Sequence, residues 1–442
     1  MKAALDQIGT IASPLRSDLN VRGFEASLLG KLGDHDNEIA IYEDMTSAIP
    51  NHPPLWMNLG NALKYAGRAA DSHSALRRSV AIRPTFGEGW WSLANLKTAG
   101  FDSADLATMR KALRGKISAD DALHLNFALG KALEDRGRYE QSFRHYSEGN
   151  RIRAQGLTPE QMSVASFVDR SIATFDESLF ARLSRAGNPA ADPIFVVGLQ
   201  RSGSTLVEQI LASHPLIEGT TELMAMQYLW GDLTKMARSE GRSAWQWILM
   251  ASPEQLASLG CDYLERTRPY RQTERPMFVD KLPANWMAVG LIRLILPNAK
   301  IVDARRHPMA CGFSNFKQHY ATGVAFAYSQ ESIGGFYFDY LRSMDHFDRV
   351  QPGAVHHILN ERLIDDQEVE VRRLLDYVGV PFDPACLGFH RTKRSVNTPS
   401  AEQVRRPINR DGVEYWRHYE NWLSPMRESL GDAINRWSDV PA

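Results

Sequence analysis

Two hydrophobic patterns run along the chain, and one gives way to the other near residue 190. Over residues 20–155 apolar and small residues return at a fixed interval. The stretches IPNHPPLWMNLGNALKYAGRA and IRPTFGEGWWSLANLKTAGFD align, so that Pro50 and Pro84, Trp56 and Trp90, and Leu59 and Leu93 are each 34 positions apart. Gly33 precedes Gly67 by the same interval. A later unit, LNFALGKALEDRGRYEQSFRHYSEGN, repeats the pattern with Leu129, Gly130, Gly137, Tyr139 and Phe143. A repeat of this length predicts helix pairs that bury their apolar faces only by stacking on neighbours, leaving a concave groove. Trp56, Trp90 and Trp91 are expected to pack between helices, as large apolar side chains usually do.

The segment FVDRSIATFDESLFARLSRAGNPAAD then predicts a helix and a linker, broken at Gly187-Asn188-Pro189. Beyond it short β-branched or apolar runs appear at Ile194–Val197, Met277–Val279, Lys300–Val302 and Ala354–Leu359, with helical stretches between them. Strands alternating with helices predict an α/β fold with a mostly parallel sheet covered by helices on both faces. The expected organisation is therefore a helical repeat domain over 1–155, a helical linker over 156–190 and an α/β domain over 191–442.

Bulk composition narrows the function classes only a little. The 442 residues suit two or three domains. Hydrophobic content of 43% and charged content of 23% are those of an ordinary globular protein. A net charge of −1 gives no global signal for nucleic acid or an anionic membrane. Cys261, Cys311 and Cys386 lie too far apart for a disulfide framework or a zinc motif, which points to a reducing, cytoplasmic setting. The opening MKAALDQIGTIASPLRSDLN carries Asp6 and no sustained apolar core, so no signal peptide is expected. No apolar run is long enough to span a bilayer.

Ligands of parallel α/β sheets sit beyond the carboxyl ends of the strands, so the residues after each run carry the candidate chemistry. GLQRSGSTL follows the first run, and Leu206, Ile210 and Leu211 then fall on one helix face. Gly198 and Gly203 allow a tight turn and close approach to an anion. Amides from Ser202 to Thr205 open a helix, where unpaired N–H groups and the helix dipole favour negative charge. Ser204 stands where a nucleotide-triphosphate loop carries lysine, and a cation, Arg201, lies inside the loop instead. A plain strand–turn–helix with a Ser/Thr cap is the simpler reading. Lys281 ends the second run in FVDKLPANW; by itself it reads as readily as a surface lysine. Arg306 leaves the third run and Pro308 suits a helix start. Ser314 follows eight residues on, about two turns, so the pair could hold a second phosphate. Arg305 could point the other way, and His307 reads as a cap or packing residue rather than a base. The late stretch FHRTKRSVNTPSAEQVRRPINRDG is basic, either a solvated face or an anion-clamping flap.

These elements, in this order, resemble one family. From about Pro193 to Leu430 the chain is similar to the sulfotransferases that use PAPS (3′-phosphoadenosine 5′-phosphosulfate), most of all the bacterial tetratricopeptide-fused type and the tyrosylprotein sulfotransferases; residues 20–155 resemble tetratricopeptide repeats. The resemblance implies that Arg201, Ser202, Gly203, Ser204 and Thr205 hold the 5′-phosphosulfate, and that Arg306 and Ser314 hold the 3′-phosphate. It implies that Ser400, Gln403 and Arg406 close over the cofactor. It places the catalytic base at Glu222, with Glu218 a nearby competitor, and turns Lys281 and Arg201 toward the transferring sulfuryl group. No metal is required. Two positions depart from the pattern. Asn360 replaces a tyrosine that can contact the cofactor, and Gln318 replaces an arginine near the 3′-phosphate. The expected activity is sulfuryl transfer from PAPS, leaving PAP, to a hydroxyl of a protein or peptide tyrosine or of a carbohydrate, with the repeats binding a partner or substrate. Trp230, Trp245 and Trp247 could line a carbohydrate cleft or belong to the core. Two other readings compete: a P-loop kinase of small molecules, and a repeat scaffold fused to an inactive cofactor-binding domain.

Overall fold

A computed structural model describes residues 2–11, 18–96, 100–320, 323–392, 394 and 403–441. The chain forms two compact units, one within residues 1–156 and the other from 157–392 and 403–441.

The first unit is helical. Its principal helices are Leu19–Lys31, His35–Ala48, Pro53–Tyr65, Ala69–Ile82, Gly87–Ala94, Ser103–Arg114, Ala119–Glu134 and Tyr139–Ala154. The sequence period has a physical counterpart. The indole N–H of Trp56 donates to the Pro50 carbonyl at 2.8 Å, and that of Trp90 to the Pro84 carbonyl at 3.0 Å. Small residues set how closely paired helices approach. A Cβ on Gly60 would meet the Leu76 side chain at 2.6 Å, and one on Gly130 would meet the Tyr146 ring at 2.6 Å. Beside these contacts Ser72 donates to the Gly60 carbonyl at 2.6 Å and Ser142 to the Gly130 carbonyl at 2.7 Å. Trp90 and Trp91 are buried and Trp56 half-buried, so the tryptophans pack between helices.

The second unit is built on five parallel strands: β1 (Pro193–Gly198), β2 (Ile217–Gly219), β3 (Met277–Lys281), β4 (Lys300–Arg305) and β5 (Val355–Leu359), in the order β2-β3-β1-β4-β5. Ile194, Phe195, Val196 and Val197 are fully buried, as expected of a parallel strand covered on both faces. β2 is three residues long, too short to stand out in the hydrophobic pattern. The chain runs from β1 to the β2–β3 side, then crosses β1 to reach β4 and β5. Connections therefore diverge at the carboxyl end of β1, the switch point where such sheets place ligands.

The segment read as a linker is part of this unit. Its helix Ala165–Thr174 packs on the helices Gln330–Val350 and Ala244–Met250, with Val168 and Phe175 buried. The break at Gly187 is a close backbone approach, because a Cβ there would lie 2.4 Å from the Leu294 carbonyl. The Asn188 N–H donates to the Ile295 carbonyl at 2.8 Å. Among the described residues no helix is long and apolar enough to cross a membrane.

Candidate active site

The loop leaving β1 is shaped by backbone that ordinary side chains avoid. Gly198 has φ +133°, and a Cβ on it would lie 2.3 Å from the Ala304 carbonyl. Gly203 has φ +104° at the start of the helix Ser204–Ala212. Arg201 has φ +68°, the one non-glycine residue in the left-handed region among the described residues. Such strain at a non-glycine residue persists where the surroundings over-determine it, and it clusters at functional sites. A left-handed turn running into a helix start gathers N–H groups into a concavity that suits an anion. The Ser202 hydroxyl is buried in this loop with no hydrogen-bond partner among the described residues. Ser204 and Thr205 are buried at the helix start.

Three predicted residues from distant parts of the chain meet here. The Arg201 Nε donates to the Ser314 hydroxyl at 3.0 Å. Ser314 lies on the helix Pro308–Phe316, which follows β4. Arg306 Nη1 donates to the Arg201 carbonyl at 3.2 Å, and Nη2 donates to the Gly412 carbonyl. The Arg306 Nε is buried without a partner among the described residues. Burial, with the Arg201 cation nearby, draws the Arg306 guanidinium below its ordinary pKa, a cost that a bound anion would offset. Asn315 ties the same helix to the loop by donating to the Gln200 carbonyl at 2.8 Å.

A second polar group sits at the end of β3. Lys281 is 1% exposed, and its ammonium donates to Glu222 at 2.5 Å. It also lies 3.8 Å from a carboxylate oxygen of Glu208, itself 2% exposed. Glu208 belongs to the helix that starts at the β1 loop, so it joins the two halves of the site. Sequence reasoning passed over it, since a glutamate within STLVEQILA carries no motif. The Glu222 side chain is 42% exposed, open to a visiting substrate. Glu218, on β2, is buried, and its carboxylate accepts from the backbone N–H groups of Gln272 and Thr273 at 2.5 and 2.9 Å. That is a structural role on the sheet edge. Behind Lys281, fully buried Asp280 accepts from Tyr263 at 2.8 Å and from Asn285 at 3.3 Å. Burial is the main cause that pushes the Asp280 carboxyl up to about 7.

The remaining candidates separate into inward-facing and peripheral groups. Arg305 is buried in a network of its own, paired with Asp303 at 3.0 Å and contacting His357 at 3.2 Å. His307 stacks on Trp416 with ring centroids 5.6 Å apart, and burial and neighbouring arginines push it down to about 4. It packs as a neutral ring. Asn360 is pressed against the loop, its Oδ1 lying 2.8 Å from where a Cβ on Gly203 would stand. Gln318 is buried and donates to the His319 carbonyl at 3.0 Å. The short turn Gln403–Arg405 packs on the helix Ser204–Ala212, while the Gln403 and Arg406 side chains are exposed. Ser400 lies outside the described residues.

Residues 193–384 match the sulfotransferase family, so the chain carries a sulfotransferase-family domain. An uncharacterized protein of Aquifex aeolicus (strain VF5) is 33% identical over 396 residues, 88% of this chain and 52% of that protein. The chain thus spans about half the length of this relative. A Caenorhabditis briggsae protein described as a candidate protein-tyrosine sulfotransferase is 23% identical over 241 residues, 50% of this chain and 80% of that protein. The sulfotransferase domain of the Synechococcus PCC 7002 olefin synthase superposes with a TM-score of 0.43 at 19% identity, covering 58% of this chain and 97% of that domain.

Proposed function

We propose that the second unit transfers a sulfuryl group from PAPS to an acceptor hydroxyl. One observation carries this reading. An anion cradle built on Arg201 and Arg306 adjoins a Lys281–Glu222 ion pair, and Glu208 on the cradle's own helix reaches that pair. The unpartnered Ser202 hydroxyl and Arg306 Nε fit an anionic cofactor, as do the glycines that keep side chains away.

Ser202 to Thr205 and Arg201 would hold the 5′-phosphosulfate, and Arg306 with Ser314 the 3′-phosphate. Gln403 and Arg406, with Ser400, would close over the nucleotide. PAPS supplies the sulfuryl group, whose bond to the 5′-phosphate oxygen breaks with its electron pair left on PAP as the acceptor oxygen bonds to sulfur. Glu222 takes the acceptor's proton, a contribution of typically ~10²–10⁴-fold for a general base. Lys281, released from Glu222, and Arg201 offset charge that grows on the reacting oxygens. Preorganised charges of this kind are usually the largest single contribution to catalysis.

The exposed Glu222, flanked by exposed Met224 and Tyr228, favours a bulky acceptor such as a peptide tyrosine over a small buried one. The description of the Caenorhabditis relative supports the same choice; a carbohydrate hydroxyl is the alternative. The helix pairs of the first unit resemble tetratricopeptide repeats and would bind a partner or the acceptor chain. Free cysteines, with Cys311 and Cys386 buried, support a cytoplasmic setting. Calorimetry with PAP and with magnesium-ATP side by side tests the cofactor. Binding of PAP and not of ATP is expected, and the reverse would favour a kinase. Labelled PAPS supplied with cell extract, followed by identification of the labelled product, defines the acceptor.

A further inference from the structure

The second unit holds a cavity of about 420 Å³, lined by Phe167, Arg170, Trp230, Arg238, Arg242 and Trp245 among others. Its volume lies in the usual range for small-ligand sites, about 300–1,000 Å³. Its wall is three aromatic rings meeting edge to face. Trp230 and Trp245 have centroids 5.0 Å apart, and Phe167 lies 5.7 and 5.1 Å from them. Its rim is cationic. The Arg170 and Arg238 guanidinium groups have neither an ion pair nor a hydrogen bond among the described residues, and that of Arg242 has only a 3.4 Å contact with Glu240. The indole N–H groups of Trp230 and Trp245 likewise have no partner among the described residues. Among the described residues no carboxylate lines the cavity.

This donor set selects its ligand. A flat apolar ring fits an aromatic corner, and guanidinium and indole N–H groups can only donate, so they call for an anion. A neutral sugar would need acceptors too. Two hydroxyls line it, Thr234 donating to the Trp230 carbonyl and Ser243 accepting from the Gln246 N–H, so donors outnumber side-chain acceptors. The site also shares an element with the candidate base. Trp230, Thr234 and Arg238 are spaced along the helix Ala225–Ser239, which begins three residues after Glu222. At 1.5 Å per residue this puts Trp230 about 8 Å and Arg238 about 20 Å along that helix. From the helix start, an extended peptide covers these lengths with about three to six residues.

We infer that this cavity is a second, non-catalytic site for an aryl sulfate, a sulfated phenol ring, either free or as a sulfated tyrosine in the acceptor. The inference rests on the sulfuryl-transfer reading, because that reaction on a phenol makes such a group. A sulfated residue seated here would leave a neighbouring hydroxyl within reach of Glu222.

The test is calorimetry on the full chain with 4-nitrophenyl sulfate, a tyrosine-sulfated peptide and the same peptide unsulfated, each with and without saturating PAP. Both sulfated ligands should bind with PAP present, and the unsulfated peptide should bind at least tenfold more weakly. The double variant Arg170→Ala/Arg238→Ala should lose at least tenfold in affinity for the sulfated ligands while keeping its PAP affinity and melting temperature; both side chains are exposed, so folding should tolerate the change. Tighter binding of the sulfated peptide identifies the modified acceptor as the occupant, and equal binding identifies a small aryl sulfate. Displacement by PAP, unchanged affinity in the double variant, or no preference for the sulfated ligands would overturn the site. Failure of PAP to bind would instead count against sulfuryl transfer, and the titrations without PAP still decide the cavity.

Discussion

The loop after β1 and the end of β3 solve opposite problems. In the loop, donors are left unspent: the Ser202 hydroxyl and the Arg306 Nε are buried without partners among the described residues. Such a group costs roughly 1–3 kcal/mol, a cost that an acceptor entering the loop would offset. At the end of β3 the buried polar groups are answered from within, Lys281 by Glu222 and Glu208, and Asp280 by Tyr263 and Asn285. On the proposed reading the first region binds and the second rearranges, with Glu222 taking the substrate's proton as Lys281 gives it up. On that reading Arg201 would serve both, while Arg306 would serve binding and Glu222 chemistry, so variants at those two positions should separate them.

The largest effect is expected at the rearranging end. Glu222→Gln should lower turnover by about 10²–10⁴-fold while PAP titrates as in the parent; near-parental turnover would move the base elsewhere. At the binding end, Arg306→Ala removes charge-assisted hydrogen bonds worth about 1.5–3 kcal/mol. It should weaken PAP about 10–100-fold, and an unchanged dissociation constant would reject its role. Glu208→Gln probes the join between the regions. With one of its two carboxylates gone, Lys281 should hold Glu222 more firmly, so kcat should fall by about tenfold or less (~1.4 kcal/mol), with PAP affinity kept. A loss of PAP affinity instead would show that Glu208 serves the cradle.

The smallest effect is on stability. The folded chain keeps a proton on Asp280 up to about pH 7, whereas an unfolded aspartate releases it near about pH 4. This raised pKa contributes stability that is fully present below about pH 4 and lost as pH rises towards 7. Asp280→Asn should flatten that decline by a few degrees in melting temperature, and a parallel pH profile in the variant would disprove it.

Much of the fold is legible as local pattern. The run Ile194–Val197 is a buried strand because apolar residues on both faces suit the middle of a parallel sheet. The 34-residue interval survives as equivalent indole hydrogen bonds at Trp56 and Trp90. Less legible are features that need a partner. β2 is visible only through its pairing with β3. The supposed linker gives no sign that it docks on the sheet unit, yet it supplies Phe167 and Arg170 to the aromatic cavity. Asp280 differs from a surface aspartate only through what covers it.

The choice between Glu218 and Glu222 shows where the division falls. Four residues apart, the two acids are equivalent as pattern. Pairing of Glu218 with Phe278 in the β2–β3 register puts its carboxylate on the Gln272 and Thr273 amides, while Glu222 lies past the strand and meets Lys281. Sequence alone determined four of the five strands, the helix pairs and the glycine-lined turn, because backbone preferences and hydrophobic periodicity act over a few residues. Tertiary structure decided which of several arginines and carboxylates converge. That depends on burial and charge pairing between segments about 60 to 110 residues apart, where desolvation makes an unmatched charge costly and a matched one specific.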